Sequence, residues 1–415
     1  MTNQNVSEIS KKYIDMADKF GAHNYHPLKV VITKGSGEWV WDIDGKKYLD
    51  MLSAYSAVNQ GHCHPRMQQT LMEQAQKVTL TSRAFHNDQM GPWLKQLTLL
   101  CKKDKALPMN TGAEAVETAI KVARKWGYLV KKVPRHQAEI IVCDHNFHGR
   151  TTTIVSFSSE PQYKDDFGPY CGGFRSVPYG DAAALEKAIT PNTVGFLFEP
   201  IQGEAGIIIP AQGYLEKVSQ ICKKHNVLCI ADEIQTGLGR TGKLFAHLYE
   251  NCEPDLIILG KALGGAYYPI SAVVGNDDIL GLLKPGDHGS TFGGNSMACA
   301  LSQTALSIIE DEKLADRAFK LGNQFREGLA HLPKKVVKEI RGKGLLNGIE
   351  IHPEAGKGRF YSELLQERGI LAKETHDYTI RFAPPLVMKD ESMRFAIDTI
   401  SEVFAKTQAE WLQKS

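Results

Sequence analysis

The sequence predicts an α/β protein with a large domain on a mainly parallel sheet and a second, smaller α/β domain. Three observations predict it. Short apolar runs recur through the middle of the chain, at 139–143, 194–198, 227–231, 256–259 and 270–274. Amphipathic stretches with a helical period, such as 114–128 and 214–225, separate them. Strands alternating with helices are the pattern of βα units. The ends are patterned differently. Residues 30–50 alternate apolar and polar around Trp39-Val40-Trp41 and the turn Asp44-Gly45, like a hairpin. The final helix places Ala396, Ile400, Val403 and Phe404 on one face. A chain of 415 residues exceeds one ordinary core. We therefore expect an N-terminal arm and small-domain segment at 1–50, a large domain at 51–300 and a C-terminal small domain at 301–415.

Composition excludes several function classes. Hydrophobic residues make up 42% and charged residues 23%, the profile of a globular protein. A formal net charge of +2 gives no electrostatic case for nucleic acid or an anionic membrane. No apolar run approaches the ~20 residues of a membrane helix. The N-terminus carries Glu8, Asp15 and Asp18, has no arginine before Arg66 and lacks an apolar core segment. That pattern argues against a signal or transit peptide. Eight cysteines without a C-x-x-C pair read as reduced thiols of a cytoplasmic protein.

Functional groups in an open parallel sheet gather at the carboxyl ends of its strands, and Glu199, Asp232 and Lys261 each fall just past such an end. Lys261 closes Leu256-Ile257-Ile258-Leu259-Gly260. A desolvated lysine there has a depressed pKa, and the neutral amine can form a Schiff base with an aldehyde; a lysine snorkelling from a strand end fits as well. Asn110-Thr111-Gly112-Ala113-Glu114 precedes a strong helix, so its first N–H groups form a phosphate site or simply a helix start capped by Thr111. Asp232 needs a cationic partner, such as a protonated ring nitrogen, or caps a helix. Gln235 could donate to a phenolic oxygen. Phe147 is a flat plate or core filler. The pairs His145/His148 and His62/His64 lack a third ligand nearby, so a metal is not expected. A phosphate cup, a carboxylate for a ring nitrogen, a stacking aromatic and a Schiff-base lysine together match the needs of pyridoxal phosphate.

Along nearly its full length the chain resembles class-III, fold-type-I aminotransferases, and among them those acting on the δ-amine of ornithine. The resemblance lies in His23-Asn24-Tyr25-His26-Pro27, Tyr55-Ser56-Ala57-Val58-Asn59-Gln60-Gly61-His62, Met109-Asn110-Thr111-Gly112, Glu199-Pro200-Ile201-Gln202-Gly203-Glu204, Ala231-Asp232-Glu233-Ile234-Gln235-Thr236-Gly237, Leu259-Gly260-Lys261-Ala262-Leu263, Gly289-Ser290-Thr291-Phe292-Gly293-Gly294-Asn295 and Arg381-Phe382-Ala383-Pro384-Pro385.

The resemblance implies a seven-stranded sheet, pyridoxal 5'-phosphate on Lys261, and Asp232 holding the ring nitrogen protonated. It implies Gln235 at the 3′-oxygen, Phe147 stacked on the ring, and Thr111, Gly112 and Ala113 at the phosphate. Ser290 and Thr291 would reach the phosphate of a neighbouring subunit, making the unit a homodimer with interfacial sites. For substrates it implies ornithine and 2-oxoglutarate. Arg150 would bind ornithine's α-carboxylate, with Tyr25 at its α-amine and Tyr55 beside it, while Glu204 masks Arg381. With 2-oxoglutarate, Glu204 would release Arg381 to the α-carboxylate, and Arg150 would take the distal one. Two positions depart from the pattern: Ala113, where relatives often carry valine, and His148, where animal relatives carry tryptophan. Acetylornithine or 4-aminobutyrate aminotransferase, or a same-fold aminomutase or racemase, are the alternatives.

Overall fold

The computed structural model describes residues 6–412; the outermost residues of the expected arm and small domain, 1–5 and 413–415, lie outside the described residues. The described chain forms three sheets. The N-terminal strands β1 (Ile32–Ser36), β2 (Trp39–Asp42) and β3 (Lys47–Asp50) form an antiparallel meander. The central sheet is built from β4 (Lys105–Met109), β5 (Glu139–Cys143), β6 (Phe174–Val177), β7 (Thr193–Phe198), β8 (Leu228–Asp232), β9 (Leu256–Leu259) and β10 (Ser271–Gly275). Its order is β4-β10-β9-β8-β7-β5-β6. The C-terminal third adds β11 (Val337–Lys343), β12 (Leu346–Ile351), β13 (Ile370–Leu371), β14 (Lys373–Thr375) and β15 (Thr379–Phe382). Of these, β13 runs parallel to β3 and closes the N-terminal sheet, so strands from both chain ends share one sheet. The others form an antiparallel sheet ordered β11-β12-β15-β14.

The central sheet is parallel except at β10, which runs antiparallel to both β9 and β4. Two reversals cancel, so β4 points the same way as β5, β7, β8 and β9, and their carboxyl ends share one edge. Alternate residues along each strand face opposite sides. Ile140, Val142, Leu197, Leu228 and Ile230 pack beneath the helix Gly112–Leu129. Ile141, Cys143, Phe196, Phe198 and Cys229 pack under the helix Tyr214–Lys224. Burial on both faces explains why these strands read as continuous apolar runs.

Several boundaries differ from the sequence reading. The strand expected at 227–231 runs one residue later and includes Asp232, because Asp232 still pairs with Ile258 across the ladder. The run at 270–274 likewise shifts to Ser271–Gly275, paired from Met109 to Lys105 on β4. The helix expected from Glu114 starts at Gly112, behind a capping box in which Thr111 and Glu114 satisfy each other's ends. His64 accepts from Arg66 N at the start of the helix Pro65–Ala75, and His62 pairs with Asp50 at 2.7 Å. Among the described residues no helix is long and apolar enough to cross a membrane.

Candidate active site

Five segments at the shared carboxyl edge meet around a cavity of about 210 Å³. It is lined by Gly112 and Ala113 after β4, Phe147, His148 and Gly149 after β5, Glu199 and Glu204 after β7, Asp232 and Gln235 at β8, and Lys261 after β9. Each side chain sits where its strand stops pairing, so the sheet fixes its position while the loop leaves it exposed to the cavity. Lys261 is held at φ 45°, in the left-handed region, immediately after the extended Gly260. Such backbone strain concentrates at functional positions.

Burial pushes the Lys261 ammonium below the usual lysine pKa, against the pull of Glu204 and Asp232. Asp232 Oδ1 accepts from Ile234 N at 3.1 Å, and its Oδ2 accepts from His148 Nδ1 at 2.6 Å. Both partners are buried. Burial works to lower the His148 pKa, but the hydrogen bond and charge of Asp232, aided by Glu199, raise it overall. Burial pushes Glu199 up to about 7, and the Asp232 charge adds to that. His148 and the N–H groups of Phe147 and Gly203, at 2.9 and 3.2 Å, oppose it. A Cβ at Gly203 would stand 1.5 Å from Gln235 Oε1, so a side chain there would displace the Gln235 amide.

Glu204 also lines a second cavity of about 490 Å³, with Tyr25, Arg150, Tyr163, Glu374 and Arg381. Arg381, on β15, is buried and donates through Nη1 to Glu204 Oε1, while its Nε has no partner. Burial alone would raise the Glu204 pKa, but Arg381 and Lys261 outweigh it and hold the carboxyl below the usual range. Arg150 forms no ion pair among the described residues; its guanidinium lies 5.7 Å from the Tyr25 and Phe147 rings and 4.6 Å from Tyr163. Tyr55 places its ring 5.0 Å from Arg381.

The donor set fits pyridoxal phosphate. The capping box leaves the Gly112 and Ala113 N–H groups, in the first turn, without helical acceptors, as a phosphate requires. Asp232 offers a buried carboxylate for a cationic nitrogen, Phe147 a flat face and Lys261 an amine without a hydrogen-bonding partner among the described residues. Three expected cofactor residues are not brought to the cavity. The Thr111 hydroxyl accepts from Glu114 N at 3.2 Å, and Ser290 accepts from Asn110 Nδ2 at 2.7 Å. Thr291 is exposed. Sequence reasoning left His148 without a role and assigned none to Glu199. Its signal for Glu199 was a carboxylate at a strand end; nothing local marks the His148–Asp232 bond, which joins a loop to the end of β8 across 84 residues of sequence. Tyr163 carried no signal at all.

A family model described as "Aminotransferase class-III" matches residues 20–404. An ornithine aminotransferase of Geobacillus sp. (strain WCH70) is 58% identical over 94% of this chain and 98% of its own length. That of Bacillus subtilis (strain 168) is 57% identical over 95% and 98%. Among solved structures, the ornithine aminotransferase of Toxoplasma gondii, described with pyridoxal phosphate at partial occupancy, superposes with a TM-score of 0.96 at 46% identity, covering 97% of this chain and 95% of that one.

Proposed function

This chain is a member of the class-III aminotransferases, and from that we propose that it is a pyridoxal-phosphate-dependent ornithine aminotransferase. It moves the δ-amino group of L-ornithine to 2-oxoglutarate, giving L-glutamate and L-glutamate 5-semialdehyde, which cyclises to pyrroline-5-carboxylate. The observation that carries the substrate reading is the pair of arginines in one cavity beside Lys261. Arg150 has no carboxylate partner among the described residues, whereas Arg381 is covered by Glu204.

Bound pyridoxal phosphate supplies the aldehyde that takes up the amine and the cationic ring that accepts the electron pair. Lys261 Nζ, whose pKa burial lowers, takes the proton from the amine-bearing carbon. Asp232, fixed by Ile234 N and His148, keeps the ring nitrogen protonated. Phe147 stacks, Gln235 meets the 3′-oxygen, and Gly112 and Ala113 hold the phosphate, with Thr111 securing the turn. Arg150 takes ornithine's α-carboxylate with Tyr25 at the α-amine. That leaves the δ-amine to reach Lys261, because Glu204 denies Arg381 to the substrate. With 2-oxoglutarate, Glu204 moves off, and Arg381, beside Tyr55, accepts the α-carboxylate as Arg150 accepts the distal one.

The working unit is read as a homodimer. Ile9, Tyr13, Met16 and Phe20 form an exposed apolar stripe on the helix Glu8–Phe20. Ser290 and Thr291 sit on an exposed loop and line neither cavity, which suits a role in a neighbouring subunit's site. All eight cysteines are free thiols, in keeping with a cytoplasmic location.

Steady-state rates on ornithine, acetylornithine and 4-aminobutyrate test the function, with ornithine expected to lead in kcat/KM by at least tenfold. Equal or greater rates on acetylornithine would overturn the assignment. Turnover must stop without 2-oxoglutarate, which separates the enzyme from an aminomutase or racemase. In the same assay Glu204→Ala, by unmasking Arg381, shifts product from δ- toward α-transamination; an unchanged ratio overturns the gate.

A further inference from the structure

We propose that Tyr163 is a positioning residue for Arg150, its ring holding the guanidinium turned into the cavity so that a substrate carboxylate finds it preoriented. The proposal rests on the reading that Arg150 is the carboxylate site. Among the described residues no side-chain carboxylate or carbonyl anchors Arg150; three aromatic rings surround it instead, and Tyr163 is the nearest at 4.6 Å. An arginine over aromatic faces is attracted by the ring quadrupole without using up its hydrogen-bond donors. All five N–H groups therefore remain free for a ligand. An acidic partner would restrain Arg150 too, but it would compete with the substrate, as Glu204 does at Arg381. The two arginines thus differ in their resting state: one is covered and needs displacement, the other is open and needs only orientation.

The backbone that places Tyr163 is tied to the loop carrying Arg150. Tyr163 lies in the helical turn Pro161–Lys164, and its N–H donates to Glu160 O at 3.1 Å. His145 N donates to Ser159 Oγ at 2.7 Å, and the His145 ring pairs with Glu160 at 3.2 Å. The Tyr163 ring also meets the edge of Phe147, with centroids 5.9 Å apart and planes at 73°. Phe147, Arg150 and Tyr163 thus pack against one another, with the cofactor plate on one side and the carboxylate site on the other. No hydrogen bond engages the Tyr163 hydroxyl among the described residues, so the ring is the working part.

Tyr163→Leu and Tyr163→Phe separate this role from a structural one. The leucine variant is expected to raise KM for both ornithine and 2-oxoglutarate by roughly three- to tenfold, with kcat within twofold. The phenylalanine variant should stay within twofold of the parent on every constant. Single-turnover reaction with n-pentylamine, which carries no carboxylate, should be unaffected by either. Arg150→Gln is the reference: if it raises both KM values and Tyr163→Leu raises neither, the positioning role is overturned while the carboxylate site stands. If Arg150→Gln itself leaves both KM values unchanged, the underlying reading fails. A rise in KM for only one substrate, failure of the phenylalanine variant, or an equal loss with n-pentylamine would each overturn the proposal.

Discussion

Glu199 shows how far one side chain's surroundings can move its chemistry. It is buried beside Asp232 and His148, and its carboxyl titrates at about 7. An acid whose folded pKa exceeds its unfolded value binds more protons when folded, so stability falls as pH rises between the two. For Glu199 that window runs from about 4.5 to about 7, with the full penalty above it, on the order of 3 kcal/mol. In Glu199→Gln the penalty is absent. The stability difference between parent and variant should therefore drift against the parent across that window and level off above it, as read by denaturant unfolding at stepped pH. Lys261 and Asp232 were legible at this scale because each ends an apolar strand. The shift of Glu199 was not, since it depends on burial, on Asp232, and on His148 and the Phe147 N–H from another loop as well as the Gly203 N–H of its own.

Among the elements, the turn Ser53–Ser56 departs most from sequence expectation. Its residues have φ of 45°, 47°, 59° and 72°, a left-handed turn without a glycine. Each such residue costs about 1–2 kcal/mol. The turn is held by Asp50 Oδ1, which accepts from Leu52 N and Ser53 N at 2.9 and 2.7 Å, and by Ser53 Oγ, which donates to Ala383 O at 2.5 Å. It carries the Tyr55 ring to Arg381. Ala54 is exposed, so Ala54→Gly should stabilise by about 1 kcal/mol despite glycine's entropic disadvantage. A lower melting temperature in that variant would show the turn to be unstrained. The regular elements were legible because two-sided burial writes itself into apolar runs and a helical period writes itself into the helices Gly112–Leu129 and Tyr214–Lys224. The left-handed turn was not, because it is imposed by partners as distant as Ala383.

At the scale of the molecule, Arg240 joins the central sheet's loops to the C-terminal third. It is fully buried and donates to Leu345 O at 2.9 Å, Pro384 O at 2.6 Å, Ser53 Oγ at 3.1 Å and Asn59 Oδ1 at 2.5 Å. Burial lowers its pKa to about 9, with Asp50 pulling the other way. Arg240→Met keeps the stem but strands four acceptors, and should cost at least about 3 kcal/mol, measured as a fall in unfolding free energy. It should also raise KM for 2-oxoglutarate, since the Ser53 turn and the Pro384 segment flank Tyr55 and Arg381. Unaltered stability would show that solvent or rearrangement satisfies those groups. By itself the sequence determined the α/β class, five of the seven central strands and the helices Gly112–Leu129 and Tyr214–Lys224 among them, and the residue types at strand ends, because apolar periodicity and residue type are local properties. The Glu204–Arg381 pair was implied by the family resemblance and is present; only the tertiary structure decided that Arg150 stays without an ion pair among the described residues, that His148 bonds Asp232, and that Tyr163 faces Arg150. Those relations join segments far apart in the chain, and a hydrogen bond or ring contact exists only once packing has brought its two halves together.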